Sequence, residues 1–201
     1  MELLLFGGSK GPFFVNYLQV RRQRIADFME DELRSESSGD DVIEKAKKKF
    51  IIELFDIDIA NGKVSDTHNE KKDSIGYLML QINRITKEYK YTLEFKGDLE
   101  ILNYRPSNYI GVDKKVEVIR EEEKKRNYIT FFFKCLMNNQ ADFERSKALS
   151  VVNFIDNIRE LNKLITQANT ETDKDLETIL KRVVEYIEVN DAFNKANNII
   201  S

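Results

Sequence analysis

The residues with chemistry in them fall into two pairs at alternate positions. Asp56 and Asp58 lie in Phe55-Asp56-Ile57-Asp58-Ile59, and Glu94 and Lys96 in Leu93-Glu94-Phe95-Lys96. In an extended chain, residues two apart share a face, so each pair would present its two groups on one side of a sheet. Acids and a lysine gathered in this way are the material of metal-assisted hydrolysis. The plain alternative is the solvated face of a strand, in a chain where charged residues make up 33%. His68 is the only histidine and lies in Asp66-Thr67-His68-Asn69-Glu70, a polar surface loop by composition. One histidine cannot build a histidine-rich zinc site, and no Gly-x-Ser-x-Gly elbow supports a Ser-His-Asp triad. Cys135, the only cysteine, follows the apolar run Phe131-Phe132-Phe133 and is expected to be a buried structural thiol.

A glycine-rich turn, Gly7-Gly8-Ser9-Lys10-Gly11, follows the apolar run Glu2 to Phe6. Such a turn between a strand and a helix can offer backbone N–H groups to a phosphate, which makes Gly8, Ser9, Lys10 and Gly11 candidate ligands. It looks like the glycine turn of short-chain dehydrogenases over five residues. No further βαβ units follow, and no Gly-Lys-Ser/Thr closes a P-loop. The competing account is a tight turn that uses glycine for positive φ.

The Glu94-x-Lys96 pair, with Asp56 and Asp58 on a preceding strand, resembles the site of the PD-(D/E)xK nuclease family. The resemblance implies that Asp58 and Glu94 hold Mg²⁺ and that Lys96 lies near the attacking water. The metal would activate that water and stabilise the charged phosphate.

Behind these residues stands a chain of 201 residues, long enough for one large core without help from metals or disulfides. The formal net charge is −3, which argues against a general nucleic-acid binder. Lys45, Lys47, Lys48 and Lys49 concentrate positive charge locally but fit the face of a short charged helix. The mixed run Glu121 to Arg126 fits a solvated turn. The Met1 to Gly8 start has no basic region ahead of its short apolar run, so no signal peptide is expected, and no run reaches the roughly 18 apolar residues of a membrane span. With a lone cysteine, these features predict a cytoplasmic protein.

The elements that must position these residues follow from periodicity. The N-terminus reads either as two strands joined by the glycine turn or as a helix entered at Pro12 and running to about Leu33; the preferred version is a hairpin-like start followed by a helix from about Arg21 to Arg34. Asp40 or Asp41 can cap a short helix over Val42 to Lys48. Phe50 to Ile59 reads as the central, buried strand. Ser65 to Asp73 reads as a loop, and Ile75 to Thr86, Tyr89 to Phe95, Leu99 to Tyr104, Val116 to Arg120 and Tyr128 to Leu136 as strands. Their short connections predict an antiparallel sheet. Val151, Phe154, Ile158, Leu161 and Ile165 then recur at helical spacing, with Leu149, Val152 and Ile155 widening the apolar face. A turn at Thr170 to Asp173, with Thr172 and Asp175 approximating a capping box, would start a last helix through Leu176, Leu180, Val183 and Ile187.

The fold class expected is therefore α+β, a mostly antiparallel sheet with an N-terminal helix and a C-terminal antiparallel helical hairpin. Residues 1–138 would form the sheet domain and 139–201 the hairpin packed on it. The expected function is non-enzymatic: binding of a protein partner or self-association, as a homodimer, with no cofactor. The surface expected to carry it is Val189, Phe193, Ala196 and Ile200, a stripe displaced from the buried one. Alternatives are a Mg²⁺-dependent nuclease built on Asp58, Glu94 and Lys96, and nucleotide binding at the glycine turn.

Overall fold

A computed structural model of the chain describes residues 2–5, 11–35, 37–77, 80–111, 115–121 and 126–197. Contacts divide the chain into two compact units, Met1–Pro12 with Leu54–Asn162, and Phe13–Glu53 with Lys163–Ser201. The class is α+β, as the patterning predicts.

The first unit is built on strand alternation. Its strands are β1 (Glu2–Leu4), β2 (Asp56–Tyr77), β3 (Leu80–Lys96), β4 (Lys115–Glu121) and β5 (Arg126–Leu136). They pair antiparallel throughout, in the order β1-β4-β5-β3-β2. Tyr91 and Leu93 of β3 lie opposite Phe131 and Ile129 of β5, and all four are buried. With Phe95, Val116 and Val118 they form one face of the sheet. The early turns of helix α3 (Gln140–Ala196) cover it with Val151, Phe154 and Ile158, and the Phe131 and Phe154 rings approach to 5.1 Å. Each such side chain contributes about 1.5–3 kcal/mol on burial. Gly97 closes β3 at φ +129°, and a Cβ there would lie 2.4 Å from the Phe55 ring, so both conformation and space require glycine.

Several elements of this unit differ from the sequence reading. Phe50 to Ile59 is not a central strand: Phe50 ends a helix, Ile51 to Phe55 have no regular structure, and β2 starts at Asp56 on the sheet edge. The inward residues there are Ile52 and Phe55, three apart, which is not the period of a strand. Ser65 to Asp73 belongs to β2, with irregular pairing between Asp58 and Lys63 and between Asp66 and Glu70. Its polarity is that of an exposed edge strand rather than a loop. Leu99–Asn103 is a 3-10 helix, opened by Asp98, whose carboxylate accepts the Glu100 N–H at 2.8 Å. The N-terminal strand pairs with β4, not in a hairpin with Phe13 and its successors.

The second unit is helical. Its elements are α1 (Phe14–Arg34), α2 (Gly39–Phe50) and the later turns of α3. The cap of α2 is Ser38, not Asp40 or Asp41. The Ser38 hydroxyl accepts the Asp41 N–H at 3.3 Å and donates to the Asp41 carboxylate at 2.6 Å. Ile25, Met29, Val42, Ala46, Leu176 and Val183 make the core. The buried Arg21 guanidinium donates twice to the Phe50 carbonyl, at 2.9 and 2.7 Å. Phe50 is the last residue of α2, so a cation meets the negative end of that helix.

The turn expected at Thr170 to Asp173 is replaced by continuous helix, so the two strands of the predicted helical hairpin are one helix in residues 140–196. The threonines explain this. The hydroxyls of Thr170 and Thr172 donate to the carbonyls of Thr166 and Ala168, each four residues back, and so satisfy themselves inside the helix instead of capping a new one. No helix among the described residues is long and apolar enough to cross a membrane.

Candidate functional site

The sheet brings the four residues of the acidic pattern together. Asp56 pairs with Lys96 and Asp58 with Glu94 across β2 and β3. Directly opposite residues share a face, and so do residues two apart, so all four lie on one face at the start of the hairpin. That face is the one turned away from the buried Phe95. The Asp58 carboxylate is already engaged by a turn. It accepts the Asn61 N–H at 3.0 Å and the Asn61 side-chain amide at 2.8 Å. These bonds, the side-chain one first, hold its carboxyl below the usual carboxylate range. Among the described residues, no group of three His, Cys, Asp or Glu side chains is placed to hold a metal ion.

Of the glycine turn, Gly8, Ser9 and Lys10 lie outside the described residues, and Gly11 is a buried residue outside any helix or strand. His68 is 90% exposed, in the left-handed region at φ 59°, with its N–H donating to Asp66. Cys135 is buried, and burial followed by the nearby Asp142 pushes its thiol up, away from thiolate chemistry. Three lysines of α2 are occupied locally: Lys45 pairs with Glu32, Lys47 with Glu44, and the Lys49 ammonium lies 4.1 Å from the centre of the Phe28 ring.

Exposed apolar side chains also follow one another on the last turns of α3. Val189 is 70% exposed and Phe193 58%, and Ala196 is exposed as well. Ile200, the fourth residue of the expected stripe, lies outside the described residues. Tyr186, 57% exposed, extends the stripe toward the N-terminus and was not anticipated from the sequence. The signal for it was present: Arg182, Tyr186, Val189, Phe193 and Ala196 follow one another at steps of four, three, four and three. That is a heptad seam, the narrow pattern of helix-to-helix pairing, rather than the broad stripe of a globular core. The turns just before it are anchored, with Leu176 and Val183 in the core. Beside the seam, α1 and α3 enclose an open groove of about 600 Å³, with Ala26, Ile179, Val183 and Tyr186 among its apolar lining and Arg22, Asp27, Glu30 and Arg182 among its polar rim. Arg22 is held there by Asp175 at 2.8 Å.

The wide apolar arc over the earlier turns of α3 is buried only in part. Val151, Phe154, Ile158, Leu161 and Ile165 are buried, but Leu149 and Val152 are exposed, so the buried stripe is narrow there. Polar side chains border it: Asn157, fully buried, accepts the Ile110 N–H at 2.9 Å and donates to the Ile110 carbonyl at 2.7 Å.

Set beside known proteins, the chain matches no family model, no curated protein and no solved structure.

Proposed function

We propose that this protein acts by non-enzymatic protein binding, that its partner is a second copy of the same chain, and that the contact is the seam Tyr186, Val189, Phe193 and Ala196. The observation that carries this reading is the exposure of three large apolar side chains at heptad spacing on one helix. Isolated scattered hydrophobes need no explanation, but a contiguous stripe does. A free helix of this length would lose much of its pairing energy to ordering. Here the core residues Leu176 and Val183 already hold the helix, so that cost has been met within the monomer. A two-fold symmetric contact is the commonest way for one chain to cover such a stripe. The reading needs no metal, cofactor, nucleic acid or membrane, and a cytoplasmic setting goes with it.

Phe193→Glu tests it. Because Phe193 is exposed within the chain, the variant stays folded with unchanged helix content while light scattering shows it monomeric. A variant that remains dimeric places the contact elsewhere.

One observation favours a second reading, the metal-dependent nuclease: the register that sets Asp58 opposite Glu94 and Asp56 opposite Lys96. Incubation of DNA and RNA with the purified protein and Mn²⁺ decides it. Cleavage lost in Glu94→Gln supports a nuclease, and intact substrates with the wild-type protein end that reading.

A further inference from the structure

Resting on that self-association, we infer that the two copies pair antiparallel, with Phe193 of each seated over the groove between α1 and α3 of the other. The argument starts from Arg182, which occupies a seam position one step before Tyr186 and also lines the groove. In a parallel, in-register pair every seam position meets itself, so two Arg182 guanidinium groups would face each other across an apolar contact. Like charges so placed are repelled, and burying them unpaired is costly. Reversing one helix about the midpoint between Tyr186 and Val189 removes the conflict. Tyr186 then meets Val189, and Arg182 meets Phe193 of the other copy, an arrangement in which a guanidinium stacks on an aromatic face.

The groove supplies the rest. Phe193 lies seven residues beyond Tyr186, and Ile179 seven before it, each about 10 Å along the helix. An antiparallel mate therefore carries its Phe193 to the level of Arg182 and toward Ile179, where the groove lies open with Ala26 and Val183 in its lining. In the parallel arrangement Phe193 reaches only the other Phe193, and the groove keeps its apolar lining in water. The rim carries charge of both signs, Arg22 and Arg182 with Asp27 and Glu30, so it is neutral enough to accept an apolar side chain between them.

Disulfide trapping with single cysteines reads the orientation without touching Phe193. Thr178 and Ala196 are exposed and lie on the seam side of α3, and the native Cys135 is buried and does not compete. Antiparallel pairing brings Thr178 near Ala196 of the other copy and leaves the two Ala196 positions about 25 Å apart along the axis. Thr178→Cys mixed with Ala196→Cys should cross-link on mild oxidation, and Ala196→Cys alone should not. Self-linking of Ala196→Cys would overturn the antiparallel arrangement, as would the lack of any mixed cross-link in a protein that light scattering shows to be dimeric. In both cases self-association itself survives. A wild-type protein that is monomeric at tens of micromolar removes self-association and the orientation with it.

Discussion

The side-chain amide of Asn162 stands in for a neighbouring strand beside Phe55: it accepts the Phe55 N–H at 2.8 Å and donates to the Phe55 carbonyl at 2.8 Å. Ile52 is held the same way by Asn169, at 3.2 and 2.8 Å. Segments without regular structure thus have their backbone groups satisfied by a helix. Asn162→Leu removes both bonds and leaves two partly buried backbone groups unpaired, a loss of about 2 kcal/mol. Urea unfolding measures it. Asn162→Asp keeps the acceptor and loses the donor, and its loss should be of similar size because a carboxylate then faces a carbonyl. A variant as stable as the wild type would mean that water replaces the amide.

Arg21 tests the joint between α1 and α2. Its guanidinium is buried, and burial lowers its pKa more than the surrounding charges raise it. The fork to the Phe50 carbonyl and the bond to the Thr172 hydroxyl at 3.4 Å hold it there. Lysine cannot reproduce that fork. Arg21→Lys should cost about 1–3 kcal/mol in chemical denaturation. By contrast Arg22→Ala breaks an exposed ion pair with Asp175 and should cost less than about 1 kcal/mol. Equal losses would contradict the different roles assigned to these neighbours.

How much of this the sequence carried depends on the scale of the interaction. Helix and strand periods are local, so α1 from about Arg21 onward, β4, β5, the stripe from Val151 to Ile165 and the exposed positions Val189, Phe193 and Ala196 are legible, while the first turns of α1 read as a strand. Among the failures are places where a side chain satisfies a backbone group far away. Asn162 lies outside the apolar repeat of α3, and nothing in the sequence shows its bond to Phe55, 107 residues earlier. That bond and the one from Asn169 hold Ile51 to Phe55, apolar as the segment is, outside the sheet: the backbone groups of Ile52 and Phe55 are bound by amides rather than by a ladder. The register that gathers Asp56, Asp58, Glu94 and Lys96 was half legible, since alternation gives faces but not partners. Asn61-Gly62 is a turn signal in the sequence, but the bonds from Asn61 that occupy Asp58 are not legible from spacing.

The same segment yields a position-specific expectation. Ile52 is 4% exposed and its neighbour Ile51 is 64% exposed. Ile52→Asp buries an unpaired charge and should unfold the protein or lower its melting temperature by well over 10 °C. Ile51→Asp should be nearly neutral. Comparable melting curves for the two variants would contradict the placement of this segment.

Asp66 gives a pH dependence. Its carboxylate meets the Lys87 ammonium at 2.6 Å, and that bond, followed by the His68 N–H, holds its pKa below the ordinary value. Lys87 is raised in turn, chiefly by Asp66. A depressed carboxylate contributes stability that is fully present above its unfolded pKa, about 3.9, and is lost as pH falls through the lower folded value. A raised lysine contributes below about pH 10.4 and loses that contribution as pH rises through its folded value. Asp66→Asn should therefore flatten the fall in melting temperature below about pH 4 and advance nothing at neutral pH beyond the loss of the pair. Parallel acid limbs for variant and wild type would mean that the pair is not formed in solution.

The central claim, association through the seam on α3, is tested most directly by sedimentation equilibrium of the unmodified protein over a concentration series. The account predicts an average mass that rises from 23.6 kDa toward twice that value by tens of micromolar, and that stays at 23.6 kDa for Phe193→Glu over the same range. A wild-type mass fixed at 23.6 kDa across the series would contradict it.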